Sequence, residues 1–151
     1  MMDYVEGPRA LHELTRRPWA ALSLIRRMAS LQAYMHRTGA TNLASARERY
    51  IPGLDKAHLC SSVSRQLFQR LTQADRAQQL CHGDFHLSNV IVSGSRLILI
   101  DWDKAHAGPP TLDVARTLTL LLYGNRLQGG QGFLERHIRR CLALAYRRYF
   151  V

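Results

Sequence analysis

Within residues 80–103, LCHGDFHLSNVIVSGSRLILIDWD, Asp84 and Asn89 are separated by four residues, and Asp101 follows after two apolar runs. Carboxylate and amide oxygens are hard ligands of the kind Mg²⁺ takes. An aspartate beside them can orient a hydroxyl group and accept its proton. His82, His86 and Asp103 lie in the same stretch, whose other residues are mostly apolar. Two other chemistries are poorly served. Cys81, His82 and His86 could begin a zinc site, but no fourth ligand stands at a recognisable spacing. Ser88 has no evident base partner for nucleophilic attack.

The elements that must position these groups can be read from the flanking patterns. Val90-Ile91-Val92 and Leu97-Ile98-Leu99-Ile100 are β-rich runs separated by Ser93-Gly94-Ser95-Arg96, a hairpin signal that lies between the two polar clusters. Upstream, Thr15 and Pro18 open an expected helix with apolar positions at Trp19, Leu22, Ile25, Met28, Ala29 and Met35, closed by Gly39. That stripe reads as core. Residues 40–59 read as loop around Pro52-Gly53, and Ser61 or Ser62 caps a helix through Val63, Leu67, Phe68 and Leu71. Thr111 caps another, with Leu112, Ala115, Leu118 and Leu122 on one side and Gly124 as its stop, and a last helix runs from about Phe133 to Tyr149. Helices around one small hairpin predict an α+β fold.

Composition narrows the class. A chain of 151 residues is long enough for one domain with a single core. Its formal net charge of +10 invites a nucleic-acid reading, yet the arginines are spread along the chain, often as pairs such as Arg26-Arg27 and Arg139-Arg140, as on solvated helix faces. No aromatic-interleaved basic block and no helix-turn-helix or RRM signature accompanies them, so nucleic acid is not an expected partner. Cys60, Cys81 and Cys141 are scattered, which suits a reducing, cytoplasmic setting and small buried thiols. The opening MMDYVEGPRALHEL lacks the basic and apolar regions of a signal peptide, and apolar runs such as Leu118 to Tyr123 are too short to span a bilayer, so no membrane association is expected.

The protein-kinase catalytic loop, HRDxxxxN followed by DFG, is the worked template for Asp84, Asn89 and Asp101: a base, then two ligands for the metal on the nucleotide phosphates. A closer match is His82-Gly83-Asp84-Phe85-His86-Leu87-Ser88-Asn89, then Ile100-Asp101-Trp102-Asp103, then Leu112-Asp113-Val114-Ala115-Arg116. In this order and at these separations the chain resembles the C-terminal lobe of the aminoglycoside phosphotransferase/choline kinase family, whose fold is kinase-like. The resemblance implies Asp84 as catalytic base, Asn89 and Asp101 as Mg²⁺ ligands, Asp103 as a further carboxylate near metal or substrate, and His82 and Asp113 as supports. An aspartate placed like Asp113 would hold the catalytic-loop backbone from a helix N-terminus. On residue chemistry alone, His82 is equally an ordinary satisfied histidine and Asp113 a first-turn acid.

The opening MMDYVEG resembles the family's hinge, so residues 1–8 are expected as the inter-lobe hinge and 9–151 as the catalytic and substrate-binding lobe, with Met2 and Val5 on the nucleotide pocket. A phosphate-covering loop and a nucleotide-pairing lysine would belong to an N-terminal lobe that this chain is expected to lack. Lys56 and Lys104 sit in no V-A-I-K-like strand, and no GxGxxG or Walker A loop occurs. The implied activity is transfer of the γ-phosphoryl group of ATP to a hydroxyl of a small molecule resembling an aminoglycoside, choline or a sugar. The alternative is an inactive remnant that associates with a separate N-terminal lobe or another partner through exposed apolar surface. Asp84, Asp101, Asp103 and Asp113 against Arg96 and Lys104 leave the site segment acidic enough to accept a cation. Acceptor contacts are expected from Trp19 to Tyr50 and from the final helix.

Overall fold

The computed structural model describes residues 5–40, 42–57, 59–74, 77–124 and 133–150. Helices α1 (Ala10–Arg16), α2 (Ala21–Met35), α3 (Ala46–Asp55) and α4 (Ser61–Ala74) come first. They are followed by β1 (Gln79–Cys81), β2 (Val90–Ser93), β3 (Arg96–Leu99), β4 (His106–Gly108), α5 (Pro110–Tyr123) and α6 (Phe133–Arg147). Helices and small antiparallel ribbons together make the expected α+β mixture.

Helix α2 is the spine of the core. Leu24, Ile25, Met28, Ala29, Gln32 and Met35 are buried along it, a spacing that keeps one stripe inward, toward α6 and the β2–β3 hairpin. Helix α6 answers with Leu142, Ala143 and Tyr146, and α5 packs on α6 through a face that includes Leu121. Phe85 and Val90 enter this core from the polar stretch itself, so the hydrophobic effect anchors the loop that carries Asp84.

Several expectations about the helical part are corrected. Thr15 does not open the helix; it lies inside α1, where its hydroxyl donates to the His12 carbonyl. Pro18 starts a 3-10 turn, Pro18–Ala20, and α2 begins only at Ala21. That turn has three residues per repeat, so Trp19 falls out of step with the 3.6-residue stripe and is 80% exposed, and Leu22 in the first turn of α2 is 54% exposed. Gly39 does not close α2, which ends at Met35; Gly39 bridges to Gln79 instead. At the other end of the chain, Pro110 rather than Thr111 leads α5, where its missing N–H costs nothing, and Gly124 is the C-cap as expected. Of the thiols, Cys81 is buried, whereas Cys60 and Cys141 are exposed.

The segment 40–59 holds helix α3, not a continuous loop. Ser45 accepts from the Glu48 N–H at 3.3 Å while the Glu48 carboxylate accepts from the Ser45 N–H at 2.8 Å, a complete capping box. The helix tolerates Pro52 because its first turns are fixed by this cap and its face packs on α4 and β4. Ahead of α1, Val5 is half-buried and the Pro8 carbonyl accepts from the Val92 N–H at 2.8 Å, so this segment runs along the hairpin edge. Met2, with the rest of residues 1–4 of the expected hinge, lies outside the described residues. No described helix is long and apolar enough to cross a membrane.

Replacing Ser45 by Ala removes one half of the capping box, and the expected cost is about 0.5–2 kcal/mol of stability. Urea unfolding of the two proteins checks it; an unchanged midpoint would mean that α3 is held by packing alone.

Candidate active site

The two polar stretches meet because the ribbons are nested. Strand β1 pairs with β4, ending at Cys81 opposite His106, while β2 pairs with β3, beginning at Val90 opposite Leu99. Residues 82–89 and 100–105 are thus the two connections between an outer and an inner ribbon, and they run side by side. Ile100 ties them: its N–H donates to the Asn89 carbonyl at 3.0 Å and its carbonyl lies 3.1 Å from His82 Nε2. Gly83, at φ +76°, passes so close to the other connection that a Cβ would lie 2.3 Å from the Lys104 carbonyl oxygen.

Asp84 sits at the rim of the gap with one carboxylate oxygen on each of two cations. Lys104 Nζ donates to Oδ2 at 2.6 Å, Arg116 approaches Oδ1 at 3.4 Å, and His86 Nε2 is 3.7 Å from Oδ2. Burial alone would raise the Asp84 carboxyl, but the Lys104 ammonium, with His86 and Arg116, holds it below the usual carboxylate range. It is therefore ionised at neutral pH. Burial also pushes the His86 imidazole down, against the pull of Asp84. The carboxylate opens into a cavity of about 350 Å³ walled by α1, α5 and α6.

Behind the loop, Asp113 is fully buried and saturated with donors. Its Oδ1 accepts from the Gly83 N–H at 2.8 Å, and its Oδ2 accepts from the His82 N–H at 3.2 Å, Gln32 Nε2 at 2.9 Å and His36 Nε2 at 3.0 Å. Burial would raise this carboxyl, yet His36, the Gly83 N–H, Gln32 and the His82 N–H together hold it below its ordinary value. Thr117 donates to the Asp113 carbonyl, and the Tyr146 hydroxyl donates to Gln32 Oε1, so α2, α5 and α6 share one hydrogen-bonded cluster. Sequence reasoning missed Gln32, His36, Thr117 and Tyr146. A signal was present, since Gln32 on α2 and His36 at its C-cap, like Asp113 and Thr117 on α5, are polar pairs four residues apart in sequence.

His82 is a fully buried imidazole with both nitrogens used. Its Nδ1 accepts from the Asp84 N–H at 3.3 Å, which leaves Nε2 as the donor to Ile100 and fixes the tautomer. Burial lowers its pKa and keeps it neutral. The zinc alternative fails on these contacts, because Cys81 points its thiol at the Pro109 carbonyl. His36, Cys81 and Asp113 do bring ligand atoms within 4.8 Å of one another. They make a poor metal centre: burial pushes the Cys81 thiol up to about 12, and Asp113 is already saturated.

Asn89 is buried, and its Nδ2 donates to the Asp84 carbonyl at 3.1 Å, which orients Oδ1 as the end left for a ligand. Asp101, next to the clamped Ile100, is exposed and holds φ at +64°, a left-handed conformation that among non-glycine residues recurs at functional sites. The two oxygens offered at one end of the inner ribbon are of the type Mg²⁺ takes. Asp103 is exposed on the same connection, and neither it nor Asp101 lines the cavity at Asp84.

Asp113→Ala strips a partner from four buried donors, so a loss of roughly 3–5 kcal/mol is expected in urea unfolding at neutral pH. Because the folded carboxyl is held below its unfolded pKa, its contribution is present above the unfolded value and lost as pH falls through the folded one. The stability gap between the wild type and Asp113→Ala should therefore narrow in acid. A gap that stays constant down to strongly acidic pH would contradict an ionised Asp113.

Comparison with curated proteins gives no match. Among solved structures, glucosamine kinase in crystal form B is similar at 19% identity and a TM-score of 0.48, covering 93% of this chain and 42% of that one. Crystal form A of glucosamine kinase gives 19% identity and a TM-score of 0.46, with 93% and 44% covered. The chain thus spans less than half the length of those proteins. The model of the phosphotransferase enzyme family, APH, matches residues 2–149, which include the His82 to Asn89 and Asp101 to Asp103 stretches and Asp113. On that match over almost the whole sequence, the chain belongs to the APH phosphotransferase enzyme family.

Proposed function

We propose that this chain is the catalytic and acceptor-binding part of an ATP-dependent phosphotransferase acting on a hydroxyl of a small molecule, with residues 1–8 as hinge and 9–151 as the kinase-like C-terminal lobe. Family membership supports small-molecule phosphotransfer in general. The observation that carries the finer reading is the pair of facing connections, which put the ionised Asp84 at the mouth of a cavity and turn the Asn89 amide by a bond to the Asp84 backbone.

In this reading Asp84 orients the acceptor hydroxyl and takes its proton as the bond to phosphorus forms. Lys104 occupies Oδ2 at 2.6 Å, whereas Arg116 is only loosely placed on Oδ1 at 3.4 Å, so Oδ1 is the oxygen that receives the hydroxyl. A carboxylate with a lowered pKa is a weak base; it serves mainly by position until the hydroxyl becomes acidic in the transition state. Phe85, buried in the core, keeps the aspartate from swinging, and the Asp113 bonds to Gly83 and His82 fix its backbone. Asn89 and Asp101 would hold Mg²⁺, with Asp103 a further carboxylate nearby and Met2 and Val5 on the nucleotide. When bound, the metal nucleotide supplies the transferable phosphoryl group and offsets its charge.

The test is ADP release by this chain with ATP, Mg²⁺ and a panel of small alcohols, sugars and amino alcohols. Asp84→Asn should lower kcat by about 10²–10⁴-fold. Its nucleotide affinity should be nearly unchanged, while Asp101→Ala weakens the Mg²⁺-dependent part of that affinity. Equal turnover in wild type and Asp84→Asn would sink the assignment, as would the absence of acceptor-dependent ADP from the whole panel.

A further inference from the structure

The acidic character expected of the site segment does not survive folding. Asp113 is turned into the core with both oxygens occupied, and Asp101 and Asp103 lie away from the cavity wall. Among the described residues, Asp84 is then the single carboxylate lining the cavity, against the cationic side chains of Lys104, Arg116 and Arg139. Arg139 is partly offset by Glu135, which accepts from its Nε at 2.9 Å, and its NH1 donates to the Leu121 carbonyl, which aims the guanidinium along the cavity wall. Lys104 and Arg116 share one carboxylate between them. One negative charge cannot neutralise two cations, and with side chains 46% and 41% exposed both stay open to an incoming group.

We propose that the acceptor taken by this cavity is a hydroxylated small molecule carrying an anionic group, a carboxylate or a phosphate, which Arg116 and Lys104 bind while Asp84 engages the hydroxyl. The inference rests on the phosphotransferase reading of the same site. A guanidinium offers paired donors that match a carboxylate or phosphate edge, and Lys104 adds a point charge beside it. An anion arriving here draws one or both cations away from Asp84 and leaves the carboxylate open to the hydroxyl. The apolar wall formed by Leu11, Leu87, Leu121 and Leu142 suits a small carbon skeleton, and about 350 Å³ is at the small end for ligand cavities. A polycationic acceptor would meet like charges on Lys104 and Arg116 at this wall.

The experiment measures binding by isothermal titration and turnover by ADP release with D-gluconate, D-glucose 6-phosphate, D-glucose, D-glucosamine and kanamycin. Wild-type chain, Arg116→Gln and Lys104→Gln are compared; both side chains are surface-facing, so neither change should unfold the protein. At least one anionic probe should bind tenfold or more tightly than the neutral and cationic ones, with the preference weakened by salt and lost in Arg116→Gln. Tighter binding of glucosamine or kanamycin, binding of no probe, or a preference that survives Arg116→Gln would overturn the proposal. Turnover of a neutral or cationic acceptor alone would overturn it while leaving the phosphotransferase reading intact. Arg116-dependent anion binding without turnover of any acceptor would leave an anion site but overturn the phosphotransferase reading, and with it the anion's role as acceptor.

Discussion

The buried carboxylate of Asp113 is the constraint on which the rest of the structure depends. An ion in the interior is tolerated only when its charge is met by well-placed donors. Here those donors come from two other parts of the chain: the His82 and Gly83 N–H groups, and Gln32 on α2 with His36 at its C-cap, while Asp113 itself is borne by α5. Satisfying one side chain therefore fixes the distance between α2, α5 and the connection that carries Asp84. Hydrophobic packing alone would permit small slides among these elements. Directional bonds to a single pair of oxygens do not.

Much of the site was legible because its chemistry is written in consecutive residues. The β-rich runs around Ser93–Arg96 announced the inner ribbon, and the ordered aspartates and asparagine around it marked both connections. The outer ribbon was not legible: Gln79–Cys81 and His106–Gly108 are three residues each, and they pair across the whole inner hairpin, so neither strand has an adjacent partner to announce it. Helix α3 was hidden by Pro52-Gly53, a pair whose local preference for a turn was outweighed by the Ser45–Glu48 cap and by packing. The Trp19 and Leu22 error has a different origin, since periodicity cannot tell an inward stripe from solvent-facing residues in a 3-10 turn or in the helical turn that follows it. Gln32, His36, Thr117 and Tyr146 were overlooked because a polar residue in an apolar stripe announces a partner without naming it.

Charge shows the same limit. Setting Asp84, Asp101, Asp103 and Asp113 against Arg96 and Lys104 gave a negative site, whereas folding sends Asp113 inward, leaves Asp101 and Asp103 off the cavity wall and brings in Arg116 from α5 and Arg139 from α6. The sign of a pocket belongs to the groups that line it, and lining is a tertiary property. Lys104, assigned no role by its neighbours in sequence, ends with the shortest polar contact to Asp84. Gly83 permits that contact by letting the two connections pass at close range.

The nesting of the ribbons also separates the assembly of the site from its fixation. Both connections lie within the single span from Gln79 to Gly108, so closing the ribbons brings together residues that are near in sequence and the entropy cost of closure is small. The anchoring bond from Gln32 to Asp113, in contrast, joins residues 81 apart. A folding chain can thus form the motif-bearing ribbons early at low cost, yet the aspartate acquires its final orientation only when the first long helix docks. Partial unfolding at α2 would take Gln32 and His36 from the Asp113 carboxylate, so the assembled site is a more demanding state than the pairing of its strands.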